Sequence, residues 1–150
     1  MQIGFVVGAL ALAASNLADL VPSRSLFATA AMVGAGVNGL LLTLGPGDYG
    51  WAFMLRFFTG AALAGVYPAG LKVMAGWFLT GRGLALGALV GALTVGSAGP
   101  HLIRGLGFNW QGVVGGASLL ALVAALLVFF FLGDGPHETR SQRFSWRHIG

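Results

Sequence analysis

One arginine lies inside an apolar stretch and is the residue whose position most strongly suggests chemistry. Arg56 is the only charged residue between positions 49 and 71. A guanidinium in such a stretch is energetically costly, and it usually faces a cavity, a partner charge or an anionic ligand. Since Arg56 stands five residues after Trp51, a side chain that extends back to a polar interface is the alternative. The first interpretation predicts that Arg56 attracts an anion or pairs with an acidic group.

Two other pairs of residues are candidates for binding or gating. Tyr67 and Pro68 follow Arg56 in the same stretch, where a tyrosine could line a cavity and a proline can bend a helix by removing a backbone hydrogen bond. Asp19 and Arg24 bracket a short polar break. They could form a latch across neighbouring helices, and the alternative is a solvated ion pair.

The sequence does not predict an enzyme. Ser97 and His101 are four residues apart and would share a helix face, but no nucleophile elbow accompanies them. The three histidines lack ligand spacing and cysteine is absent, so we expect neither a metal site nor a cofactor. The glycine-rich stretches lack the strand and the lysine of a phosphate-binding loop.

Composition indicates which solvent surrounds the chain. Of 150 residues, 57% are hydrophobic and only 8% are charged, whereas soluble domains carry roughly a quarter charged residues. A soluble core needs a charged shell, for which there are too few charges. The chain is therefore predicted to be an integral membrane protein. Its net charge of +4 does not indicate nucleic acid as a partner, because the basic residues are dispersed.

Five apolar runs are long enough to cross a bilayer, which takes about 20 residues of α-helix. Glycine, proline or charge punctuates each boundary, and the runs are about twice the length of a barrel strand. The predicted fold is an all-α polytopic membrane bundle of about five transmembrane helices in residues 1–132, followed by a cytoplasmic linker or tail at 133–150. The predicted helices are about 1–19, 26–45, 49–72, 83–103 and 112–132.

Glycine is abundant, with 26 residues, and in bilayers it lets helix backbones approach closely. Gly83, Gly87 and Gly91 are spaced four residues apart, and Gly99 continues this spacing after Val95. The spacing predicts a smooth stripe against which another helix packs. The alternative is glycine scattered by composition.

The basic residues predict the orientation. Positive charge favours the cytoplasmic side, and six basic residues fall on one side of the predicted bundle while Arg104 stands alone on the other. Trp51 and Trp110 then lie at the outer interface and Trp77 at the inner one, where amphipathic rings are favoured. The six are Arg24, Lys72, Arg82, Arg140, Arg143 and Arg147.

The third run has a recognisable pattern. Arg-Phe-Phe-Thr-Gly-Ala-Ala-Leu-Ala-Gly-Val-Tyr-Pro, from Arg56 to Pro68 and including Gly60, resembles the fourth transmembrane helix of the major facilitator superfamily. Trp77-Phe78 and the segment from Arg82 to Gly87 continue the resemblance into the next connection.

Upstream, Ser15 to Arg24 resembles a degenerate copy of the cytoplasmic motif that the same superfamily carries between its second and third helices. Asp19 and Arg24 stand at the expected positions, whereas Leu20 and Pro22 replace a basic residue and a glycine. The resemblance thus implies a gating role for Asp19 and Arg24, and a gating or structural role for Gly60 and Pro68.

The resemblance also implies an architecture and an activity. The chain would be part of an amino-terminal six-helix bundle, covering helices two to six of a twelve-helix transporter. Its partners would be the lipid bilayer, the first helix, the carboxy-terminal bundle and a small solute, with Arg56 favouring an organic or inorganic anion. The implied location is a cell membrane, with a bacterial plasma (inner) membrane favoured. The alternative is a five-helix membrane protein that acts as an assembly or scaffold subunit.

Overall fold

The computed structural model describes residues 1–78 and 80–132, without the side chains of Ala18 and Asp19. This part is helical and contains no strand, which confirms the predicted all-α fold. The predicted tail at 133–150 lies outside the described residues. The helices are α1 (Gln2–Ser15), α2 (Leu17–Leu20), α3 (Ser23–Gly39), which continues as a 3-10 turn over Leu40–Thr43, α4 (Tyr49–Trp77), α5 (Arg82–Gly105) and α6 (Trp110–Phe131).

Four of the described helices are long and apolar enough to cross a membrane: α3 with its 3-10 turn, α4, α5 and α6. The first predicted span, 1–19, is broken in the structure. Asn16 has a left-handed backbone with φ 50°, so α1 ends at Ser15 and α2 is a separate single turn. Asparagine tolerates this conformation better than most residues, which explains the early end.

The centre of the bundle is α3, which packs against α4 on one side and α6 on another. Its buried positions are dominated by small residues, including Ala28, Ala31 and Ala35. The facing part of α4 is similarly small, and a Cβ placed on Gly65 would lie 3.0 Å from the Cβ of Ala30. Small side chains let the two backbones approach and gain van der Waals contact where lipid supplies no hydrophobic driving force.

The tightest contact joins α1 to α4. A Cβ at Gly4 would overlap the carbonyl oxygen of Phe57, and one at Gly8 would lie 2.6 Å from the carbonyl oxygen of Ala61. From the other side, a Cβ at Gly60 would overlap the carbonyl oxygen of Met1. Glycine is therefore required on both helices for this approach, which gives Gly60 a structural place in the bundle.

The predicted glycine stripe on α5 lies in open space. A Cβ at Gly83, Gly87, Gly91 or Gly99 would meet nothing within 4 Å, and Ala85 is the one buried residue of this helix. Among the described residues, the glycines that bring two helix backbones closest together therefore lie on α1 and α4 and not on α5. Close packing against the α5 stripe stays a prediction.

Each connection between the four long helices turns on a glycine with a positive φ: 110° at Gly47, 75° at Gly81 and 86° at Gly107. Such short connections make consecutive helices run in opposite directions. Arg24 and Arg82 begin α3 and α5, so they share one end of the bundle, and Arg104 near the end of α5 lies at the other. This matches the predicted grouping of these three residues, while which end faces the cytoplasm stays a prediction.

Candidate functional site

Arg56 lies in the first third of α4, and its side chain is half-buried. Its Nη1 donates a hydrogen bond to Oδ1 of Asn38 on α3, at 3.1 Å. The guanidinium is thus directed towards the neighbouring helix. The hydrogen bond directs the side chain to α3, whereas in the alternative raised by the sequence the side chain extends to the interface beside Trp51.

Asn38 connects three helices. It is 8% exposed, and its Nδ2 donates to Oγ of Ser118 on α6 at 2.9 Å and to the backbone carbonyl of Val114 at 3.3 Å. The amide therefore makes three hydrogen bonds, with its nitrogen donating twice to α6 and its oxygen accepting once from α4. Buried amides in an apolar bundle need such partners, because an unsatisfied polar group there is costly.

A cavity of about 420 Å³ lies beside this cluster. Its polar side chains are Asn38, Arg56, Thr59 and Ser118, and the hydroxyl of Thr59 is donated to the carbonyl of Leu55 on its own helix at 2.8 Å. The remaining wall is apolar. It is formed by Met1, Phe27, Ala31, Gly34, Ala35, Leu63, Val66, Pro100, Val113, Val114, Ala117, Ala121 and Ala124.

Arg56 is the only cationic side chain among the described residues of this wall, and no described carboxylate neutralises it. Asp48 is the one acidic side chain that the structure describes, and its Oδ2 accepts from the backbone nitrogen of Gly45 at 3.0 Å. A guanidinium has five N–H donors, and the bond to Asn38 uses one. No fully buried side-chain nitrogen in the described residues lacks a partner, so the unpaired donors of Arg56 are accessible.

Tyr67 lines a different cavity. A space of about 360 Å³ between α1 and α4 is bounded by Tyr67, Pro68 and Asn16 among others. The structure therefore places both predicted cavity residues, Arg56 and Tyr67, on cavity walls, but it does not bring them together. Pro68 is accommodated within α4, which continues to Trp77.

The other predicted pairs, Asp19 with Arg24 and Ser97 with His101, are not shown as sites by the described residues. Arg24 is exposed at the start of α3. The side chain of Asp19 is outside the described residues, so the latch between these two stays a prediction. Ser97 is exposed, and its hydroxyl donates to the carbonyl of Thr94 at 2.7 Å, not to His101. This geometry gives no support to a hydrolase.

Sequence reasoning missed Asn38 and Ser118. Asn38 carried a usable signal, because it is the only amide side chain in the apolar run 26–45 and intramembrane amides commonly bond across helices. Ser118 carried none, since a serine in an apolar helix usually bonds the preceding turn of its own backbone. Only the packing of α6 against α3 identifies it.

Comparison with known proteins gives one family. The model of the Major Facilitator Superfamily matches residues 3–149, nearly the whole chain. No curated protein and no solved structure gives a significant match. The family match confirms the resemblance to this superfamily, while the numbering of its helices stays a prediction, and the apolar helices agree with a multi-pass membrane protein. The chain belongs to the Major Facilitator Superfamily of secondary transporters.

Proposed function

We propose that this chain forms part of a transporter that carries a small organic anion by alternating access, with Arg56 as the cation that attracts it. The observation that carries the proposal is a half-buried arginine with accessible donors, no described acidic partner and a cavity beside it. A charge held inside a membrane bundle is costly, so its retention in a cavity favours a role in binding. Family membership favours transport over the assembly-subunit alternative.

The walls of the cavity favour an organic anion over an inorganic one. Phosphate or sulfate is bound by several charge-assisted donors, often more than one arginine. Here one guanidinium faces a wall that is otherwise mostly apolar, with Phe27, Leu63 and Val113 on it. Small-molecule sites commonly combine such a wall with a few polar groups that fix orientation. A monocarboxylate with an apolar body fits both features.

Alternating access requires two bundles that rock against each other around a central site. We infer from the superfamily pattern that a first helix and a carboxy-terminal bundle complete the cavity, and that the location is a bacterial plasma membrane. Asp19 and Arg24 are proposed to form the cytoplasmic latch of this movement. Arg56 would then present the charge from the amino-terminal side of the cavity.

The test replaces Arg56 in the complete transporter. Uptake of butyrate, benzoate and octanoate is measured in proteoliposomes for the wild type, Arg56→Gln and Arg104→Gln. Arg104 is an exposed arginine near the end of α5, outside the cavity, and serves as the matched control. We expect Arg56→Gln to abolish uptake of every carboxylate that the wild type carries, with normal membrane abundance, while Arg104→Gln retains it. Unchanged uptake in Arg56→Gln would refute the role of Arg56.

A further inference from the structure

We propose that Asn38 and Ser118 are positioning residues, which orient the Arg56 guanidinium for a carboxylate through a hydrogen-bonded chain that crosses from α6 to α3 to α4. This inference rests on the proposed function and goes beyond it. It assigns a role to two residues on helices other than the one that carries the charge. The chain is Ser118 Oγ to Asn38 Nδ2 at 2.9 Å, then Asn38 Oδ1 to Arg56 Nη1 at 3.1 Å.

The donor and acceptor pattern fixes the direction of the Asn38 amide. Arginine has only donors, so the group of Asn38 that faces Arg56 must be its carbonyl oxygen. The amide nitrogen then faces α6, where the Val114 carbonyl can only accept and the Ser118 hydroxyl is able to accept. A reversed amide would place two donors against each other on the α4 side and lose the bond to the Val114 carbonyl on the α6 side, while the Ser118 hydroxyl could still donate to the amide oxygen. The Val114 carbonyl therefore sets the direction of the Asn38 amide, and the shorter bond to Ser118 holds the amide in place with its oxygen towards Arg56.

A fixed oxygen in turn fixes the guanidinium. The group is planar, so anchoring Nη1 to Asn38 restricts the plane in which the other N–H donors lie. A carboxylate bound by two parallel N–H bonds needs this plane to be set before it arrives. Without the anchor, the long arginine side chain would pay conformational entropy on binding. The chain of bonds thus lowers the cost of capturing the anion.

A purely structural role for the same bonds makes a different prediction. If Ser118 and Asn38 only join α3 to α6, weakening their bond would lower the stability and abundance of the protein, with the affinity for the anion unchanged. If they position Arg56, the affinity changes while the fold persists. A change in affinity that arises from positioning must also depend on the planar guanidinium of Arg56. Lysine keeps the positive charge but lacks this planar group.

The experiment measures dissociation constants of butyrate, benzoate and octanoate for the purified complete transporter. The variants are Ser118→Ala, which removes the hydroxyl, and Ser118→Thr, which keeps it. Ser97→Ala is the matched control, because Ser97 is exposed on α5 and bonds only its own helix. We expect Ser118→Ala to raise the dissociation constants roughly threefold to tenfold, the effect of one lost hydrogen bond. Ser118→Thr and Ser97→Ala should stay near the wild type.

A double-mutant cycle separates positioning from direct contact with the anion. In an Arg56→Lys background, Ser118→Ala should have little further effect, because the group that it orients is gone. An equal effect in both backgrounds would overturn the positioning role, as would unchanged affinity in Ser118→Ala. If Arg56→Gln abolishes binding and Ser118→Ala does not weaken it, this inference alone fails. If the wild type binds none of the three carboxylates, the proposed function fails and the inference falls with it.

Discussion

Among single residues, Asn38 is the one whose type decides whether the cavity wall keeps the positive charge of Arg56. It is an uncharged acceptor, so it satisfies one donor of Arg56 without neutralising the positive charge. A carboxylate at the same place would accept the same bond and form an ion pair, and the net charge facing the cavity would be lost. The difference between an amide and an acid at this position therefore separates an anion site from a closed ion pair.

This difference predicts the effect of Asn38→Asp. The substituted side chain has nearly the same shape but cannot donate to Ser118 Oγ or to the Val114 carbonyl, and its charge cancels that of Arg56. We expect anion uptake to fall at least about tenfold, because the introduced carboxylate binds Arg56 and competes with the transported anion. The measurement is initial uptake rate in proteoliposomes normalised to transporter content.

The control for this change is Asn109→Asp. Asn109 is the N-cap of α6, where its side-chain oxygen accepts from the backbone nitrogen of Gly112 at 3.0 Å. A carboxylate keeps that bond and suits a helix amino terminus, so uptake should be unchanged. Wild-type uptake by Asn38→Asp would contradict the importance of an uncharged acceptor beside Arg56.

At the level of helices, α4 is the element around which the site is organised. It carries Arg56 towards α3 and presents Gly60 to α1, so one helix serves both the cavity and the tightest packing contact. The two faces are coupled, because a displacement of α4 away from α1 would also move Arg56 relative to Asn38. Packing at α1 is thus expected to influence the site without contacting it.

The packing contact is tested by Gly8→Ala. The added Cβ would lie 2.6 Å from the carbonyl oxygen of Ala61, a backbone atom that cannot move without shifting α4. We expect a loss of about 1–3 kcal/mol in the free energy of unfolding, typical of overpacking. It would be measured as a lower unfolding temperature of the detergent-solubilised transporter.

Gly36→Ala provides the comparison for that substitution. Gly36 lies within α3, is exposed, and would place its Cβ more than 4 Å from any other group. Alanine is the better helix former, so this variant should match or exceed the wild type in stability. Equal stability of the Gly8 and Gly36 variants would show that α1 does not depend on its close approach to α4.

These elements also show how far sequence reasoning reached. The all-α fold follows from the length of the apolar runs, because spanning hydrocarbon is a requirement on each segment alone, and four of the described helices are long and apolar enough to meet it. The break of the first run at Asn16 did not follow from its length. Which helices touch is a property of pairs, which spacing on one helix does not determine: among the described residues the close contact involves Gly4 and Gly8, while packing against the glycines of α5 stays a prediction. Arg56 could be identified from the sequence because a charged residue stands out within its own apolar run. Ser118 was missed because its hydrogen-bonding partner Asn38 is 80 residues away.

On the scale of the whole molecule, the alternating helices separate the basic residues. Arg24 and Arg82 lie at one end of the described bundle and Arg104 at the other. This grouping, together with the preference of positive charge for the cytoplasm, predicts that the connection before α3 is inside and the one after α5 is outside.

This chain contains no cysteine, so a cysteine introduced into it is its only thiol, and labelling of the unsubstituted transporter gives the background. Thr80→Cys and Leu106→Cys place exposed thiols at opposite ends of α5. We expect a membrane-impermeant maleimide to label Leu106→Cys on intact cells, and Thr80→Cys only after permeabilisation. The reverse pattern would show the opposite orientation. Labelling of both variants on intact cells would contradict the placement of the two ends of α5 on opposite sides of the membrane.

The glycine turns at Gly47, Gly81 and Gly107 have a practical consequence for anyone who handles this protein. At these angles a residue that carries a Cβ is strained, so each of the three turns depends on its glycine. A tag or reporter domain should therefore be inserted beside these glycines and not in place of them, because exposed connections tolerate added chain better than they tolerate the loss of the turn residue.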